Sequence, residues 1–160
     1  MKKVLFSLLV LSLIIVSCGG PSPVKFNDAL VKANTAIGNV GAAYQNDLSQ
    51  AISSESFENI AVVTDSALAK IDAELEIVKA LEAPKGGETF KAAALKSYES
   101  LRTVVETSRK FAVLTKESTQ EDFDKIEKEY DEKFDEYSKS FDELAKAQMD
   151  YAKEAGYKVQ

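Results

Sequence analysis

Residues Thr119–Ala155 read TQEDFDKIEKEYDEKFDEYSKSFDELAKAQMDYAKEA, and this stretch decides the fold class. Phe123, Ile126, Tyr130, Phe134, Tyr137, Phe141, Leu144, Gln148 and Tyr151 recur at steps of three and four, the spacing that lines side chains up in one stripe along an α-helix. Ser118 and Glu121 are spaced as a capping box to open that helix. Gly156 is placed to close it in a left-handed conformation. An aromatic stripe at this period reads as a core seam rather than a cofactor box, with the phenol oxygens of Tyr130 and Tyr137 reaching its rim. Between Glu117 and Lys146 lie 12 acidic residues and five lysines. The pairs Glu121–Lys125 and Glu129–Lys133 are spaced for attraction across one helical turn on a solvated face, worth about 0.3 kcal/mol each. The sharper reading of the same charges is a docking face for a basic partner, with Asp131, Asp135 and Glu136 at its centre.

Three earlier segments carry the same period. Helix 3 is expected over Glu88–Lys116, with Phe90, Ala94, Tyr98, Leu101, Val105, Ser108, Phe111 and Leu114 in step. Helix 2 is expected over Phe57–Ala83, with Phe57, Ile60, Thr64, Ala67, Leu68, Ile71, Leu75, Val78 and Leu81 on its apolar face, ended by Pro84-Lys85-Gly86-Gly87. Helix 1 is expected over Pro23–Ser53, where Phe26, Leu30, Ala33, Ile37, Val40, Tyr44, Leu48 and Ala51 form the stripe and Ser53-Ser54-Glu55-Ser56 the turn that follows. No segment with a β period is left over. The expected fold is therefore all-α, an antiparallel up-down-up-down four-helix bundle over residues 24–160. Gly38 and Gly41 interrupt helix 1 at about 1 kcal/mol each against alanine. They fit a close crossing with a neighbouring helix, or else a small cleft for a ligand.

At the other end of the chain, Met1–Gly20 reads MKKVLFSLLVLSLIIVSCGG. Lys2 and Lys3 precede a 13-residue apolar run, Val4–Val16, broken only by Ser7 and Ser12. This is the pattern of an export signal, and the run is short of the roughly 20 residues that cross a bilayer. Its end, Ile15-Val16-Ser17-Cys18, resembles the lipobox of bacterial lipoproteins. The resemblance implies cleavage between Ser17 and Cys18, a diacylglyceryl group on the Cys18 thiol and an acyl group on the freed amine. Two or three acyl chains anchor a protein stably where one holds only marginally. Residues 1–17 are then the signal peptide, and residues 18–23 the lipidated cysteine with a Gly/Pro tether. The competing reading is an ordinary secretory signal with an incidental thiol.

Removing the signal leaves 143 of 160 residues, enough for one domain. Lys2 and Lys3 are the signal's only charges, so of 20 basic and 26 acidic residues the mature part keeps 18 and 26, a formal charge of −8. Such a surface disfavours nucleic acid and polybasic docking on anionic lipid. With Cys18 as the only cysteine, no disulfide can form within the chain. Histidine is absent, and with it the usual general base near neutral pH and the Glu-x-x-His ligands of di-iron bundles. Asp122 and Asp124 lack the remaining ligands and the turn glycine of an EF-hand. Gly86-Gly87 lacks the lysine and hydroxyl of a P-loop. These absences predict a protein that is not an enzyme and carries no cofactor beyond its covalent lipid.

The mature chain also resembles a family of small, functionally uncharacterised, all-helical bacterial surface lipoproteins. The residues that carry this are Phe26-Asn27-Asp28, Leu81-Glu82-Ala83-Pro84 with Phe90-Lys91-Ala92-Ala93, Tyr98, Phe141, Ala147-Gln148, Tyr151-Ala152 and Gly156-Tyr157. Phe26 stands where that family often has tyrosine. The resemblance implies a helical fold and an envelope location, and brings no ligand or catalytic residue. In lipoproteins, aspartate just after the cysteine favours inner-membrane retention; Gly19 stands there, which implies outer-membrane delivery. The expected role is that of a lipid-anchored envelope protein, surface or periplasmic, monomeric, working through a protein or envelope partner. The alternative is a lipoprotein that binds a small apolar ligand in a cleft near Gly38 and Gly41.

Overall fold

The computed structural model describes residues 21–156; Ser17, Cys18, the rest of the signal and Tyr157 lie outside them. Four helices follow one another with no strand among the described residues: α1 (Pro23–Ser53), α2 (Glu58–Ala80), α3 (Glu88–Ser108) and α4 (Gln120–Glu154), with a 3-10 segment over Arg109–Val113. The fold is an all-α four-helix bundle. No helix among the described residues is long and apolar enough to cross a membrane.

Local chemistry accounts for the ends. Ser22 caps α1 by accepting from the Lys25 amide, and Pro23 supplies a first-turn residue with no amide hydrogen to satisfy. The α2 helix stops three residues before its expected end, because Leu81 turns extended ahead of the Ala83-Pro84 pair. Its open carbonyls are met from α3: Lys91 Nζ donates to Lys79 O at 2.7 Å and to Leu81 O at 2.5 Å. The third helix also ends early. Past Ser108 the backbone tightens into the 3-10 segment, which eclipses residues three apart and turns Phe111 and Leu114 into the core together.

At the start of α4 the capping box is one residue later than the sequence spacing suggests. Thr119 Oγ1 accepts from the Asp122 amide at 3.2 Å, and the Asp122 carboxylate accepts from the Thr119 amide at 2.9 Å. Ser118 instead accepts from the Thr115 amide at 2.9 Å and closes the preceding turn. The hydrogen bonds from Thr119 hold the Asp122 carboxyl below the usual carboxylate range. Gly156, at φ +76°, takes the left-handed position expected of it.

Packing is centred on α3. It buries Phe90, Ala94, Ser97, Tyr98, Leu101, Val104, Val105, Thr107 and Ser108, a wider arc than its expected stripe, because it meets α2, α4 and, more lightly, α1. The expected stripes of α1 and α2 are buried almost throughout. The α4 stripe is the exception. Only Ser140, Leu144 and Tyr151 are buried on this helix, whereas Phe123, Ile126, Tyr130 and Tyr137 pack against the core while only partly buried and Phe141 is 51 % exposed. The stripe is thus the edge of the core and not its seam. The cause is one-sided packing: α4 lies along α3, and backbone contact between α1 and α4 is nearly absent.

The helix pairs expected on α4 also rearrange. Glu129 pairs with Lys110 on the 3-10 segment at 2.5 Å, and Lys133 with Glu136 at 2.8 Å. Glu129 is thus tied to a neighbouring element and Lys133 to Glu136 on its own helix.

Replacing Thr119 with alanine removes the hydroxyl that accepts from the Asp122 amide, while the backbone amide that donates to Asp122 remains, and should cost about 1 kcal/mol, whereas Ser118→Ala should cost less. The midpoint of urea unfolding orders the two variants; the reverse order would return the box to Ser118.

Candidate functional site

The weak α1–α4 seam opens into a cleft of about 230 Å³ at the middle of the bundle. Its α1 side carries Gly38, Gly41, Ala42, Tyr44 and Gln45; its floor is Leu101, Val104 and Val105 of α3; its far wall is Tyr130, Phe134 and Tyr137 of α4. The glycines therefore do not mark a close crossing. A Cβ built on Gly38 would meet nothing within 4 Å, and one on Gly41 would meet only the Leu101 side chain, at 3.5 Å. What these residues contribute is room.

The far wall is a continuous aromatic ladder. Phe111 contacts Phe123 with ring centroids at 5.4 Å and Tyr130 at 6.2 Å; Tyr130–Phe134, Phe134–Tyr137 and Tyr137–Phe141 follow at 6.3, 6.1 and 6.2 Å. Contacts of this geometry add about 0.5–1.5 kcal/mol each beyond burial, so the ladder holds its shape along α4 where α1 does not support it. Burial pushes the Tyr130 phenol up, partly offset by the Gln45 amide across the cleft. Burial also raises Tyr137.

Beneath the cleft, Tyr44 reaches across the core. Its hydroxyl lies 2.9 Å from Thr64 Oγ1 on α2 and is also hydrogen-bonded to Ser108 Oγ on α3. Proton counting fixes the direction. Ser108 donates its hydrogen to Val105 O at 2.7 Å, so Tyr44 donates to Ser108 and Thr64 donates to Tyr44. Each hydroxyl has one proton and each is used. Thr64 and Ser108 are fully buried, and one relay thereby ties α1, α2 and α3 in a single register. A second tie, from Tyr98 Oη to Asn34 Oδ1, joins α3 to α1. Burial pushes the Tyr44 phenol up, and burial with the nearby Glu74 charge pushes Tyr98 well above the ordinary range.

The acidic residues singled out on α4 do not converge. Asp131 and Asp135 are exposed and stand one turn apart on the flank turned away from the aromatic stripe. Glu136 lies a further hundred degrees round the helix, paired with Lys133. Among the described residues no group of three or more His, Cys, Asp or Glu could hold a metal ion. Periodicity places Ser108 on the buried stripe of helix 3 but not its partner Tyr44, and it leaves the cleft's Gln45 and Val104 off the expected stripes, since nothing in one helix's pattern says which residues on another helix they meet.

Comparison with protein families, with curated proteins and with solved structures finds no match to this chain.

Tyr44→Phe leaves the buried Ser108 oxygen without its donor, and should cost about 1–3 kcal/mol of stability with helix content unchanged. An unaltered urea midpoint would mean that the relay carries no stability. The tyrosines also set a pH dependence. Tyr44, Tyr98, Tyr130 and Tyr137 are all raised in the fold from the ordinary value of 10.0. The unfolded chain therefore gives up phenol protons first, so stability present below that value should fall as pH climbs from about 9 to about 11. Unfolding midpoints across that window check the sign; a rise would contradict it.

Proposed function

We propose that this chain is a lipid-anchored cell-envelope protein of non-catalytic role, delivered to the outer membrane and acting through contacts with a protein or another envelope component. The observation that carries the reading is Ile15-Val16-Ser17-Cys18 at the end of a charged-then-apolar leader, read with the likeness to small helical surface lipoproteins. Thioether lipid on Cys18 gives the anchor, and the acidic outer flank of α4, with Asp131 and Asp135, is the candidate face for a basic partner. The placement of the bundle agrees with a tether. It is capped at Ser22, a few residues beyond Cys18. Tyr151 Oη near the end of α4 donates to Pro23 O at 3.2 Å, which joins the start of α1 to the last turns of α4 at one end of the bundle. A second reading, that the bundle holds a small apolar ligand, is favoured by one observation: the open space beside Gly38.

Metabolic labelling with a radioactive fatty acid tests the anchor. The native chain should take up label and run at the processed mass, and Cys18→Ala should lose the label and accumulate the precursor. Normal processing of the variant would overturn the lipid-anchor reading.

A further inference from the structure

The lining of the cleft says what it would hold. None of its eleven residues is charged, on a chain that is 29 % charged. Four other clefts on the same surface each include a charged side chain, Asp47, Arg102, Lys125 and Lys116 among them. Charge is excluded here by construction, since a lone ion placed against these aromatic and aliphatic walls would lose hydration with no partner. The volume, about 230 Å³, lies above the ~150 Å³ cavity that accepts benzene and below the roughly 300 Å³ at which sites for drug-sized ligands begin. One long wall is a ladder of rings, Tyr130, Phe134 and Tyr137, which suits a flat π-face. Among the lining residues Gln45 carries an amide with both donors and an acceptor. Gly38 costs α1 about 1 kcal/mol of helix propensity and no helix approaches it closely. The space it opens is what its presence explains.

We propose that the cleft binds a small, neutral, planar apolar molecule of about two fused rings with one hydrogen-bonding group, the rings against Tyr130, Phe134 and Tyr137 and the polar group toward Gln45. This rests on the reading that the bundle takes an apolar ligand, and narrows it to one class. An acyl chain long enough to anchor in a bilayer outruns the cleft.

The test is a titration of the full chain in lipid nanodiscs, where no free detergent competes, with leucine and valine methyls followed by NMR. The probes are 2-naphthol, its charged counterpart 2-naphthalenesulfonate, and 1-octanol. The expected result is a saturable shift of the Leu101, Val104 and Val105 methyls with 2-naphthol while exposed Val62 stays still, and binding at least ~10-fold weaker for the sulfonate. Gly38→Leu adds a side chain whose Cβ meets nothing within 4 Å and should abolish the shift. Saturable shifts with octanol but none with 2-naphthol would overturn the planar class and leave the cleft as a ligand site. Silence with all three probes would overturn both. Equal binding of the sulfonate, or unchanged binding in Gly38→Leu, would overturn the assignment; should that variant not fold, the native titration decides alone.

Discussion

The burial of α3 is the constraint from which the rest of the bundle follows. Its side chains point into the core over about half of the circumference: Phe90, Ala94, Tyr98 and Leu101 in register with the expected stripe, and Ser97, Val104 and Thr107 beyond it. An α-helix buried on so wide an arc needs neighbours on several sides, and α2, α4 and α1 supply them in that unequal way. Two hydroxyl ties, the buried Tyr44 with Ser108 and the partly buried Tyr98 with Asn34, fix how α1 sits on it. Polar groups at such depth are costly unless paired, so they admit one register and reject its neighbours.

Because α3 takes most of the contact that α4 can make, α4 is left with one supported flank. This is why a stripe rich in phenylalanine and tyrosine ends half-buried. Ring-to-ring contacts along the helix partly replace the missing neighbour, and the charged residues beyond them keep the outer side solvated. On the opposing side α1 presents glycine, alanine and glutamine at the same level. Small residues facing large flat ones leave the seam open at this level, as a cleft rather than a closed core.

The two ends of the bundle differ in kind. At the end where the described chain begins, Phe26, Phe90 and Tyr151 form an aromatic knot with centroids 5.6–6.1 Å apart. At the far end, about 46 Å away along the 31-residue α1, the 3-10 segment carries Val113, 76 % exposed, beside Arg109 and Lys110. Under the proposed lipid anchor, the knotted end sits at the membrane and the bundle stands away from it. The cleft beside Gly38 lies midway along α1.

The sequence alone determined the class of fold, the boundaries of α1, the left-handed cap at Gly156 and nearly all of the α1, α2 and α3 core, because each of these depends on the period or backbone chemistry of one segment. It also placed Gly38 and Gly41 as the point where helix 1 departs from ordinary propensity. The later Thr119–Asp122 cap followed from a serine claimed by its own turn, the 3-10 ending after Ser108 from two apolar side chains drawn inward together, and the early end of α2 from Leu81 turning extended ahead of Ala83-Pro84, with a lysine from α3 on the carbonyls left open. The half-buried aromatic ladder, the hydroxyl relay and the cleft were decided by tertiary structure only. Helical periodicity says which side chains share a face, but whether that face is covered depends on how closely a second helix approaches, and that distance is a property of the packed bundle.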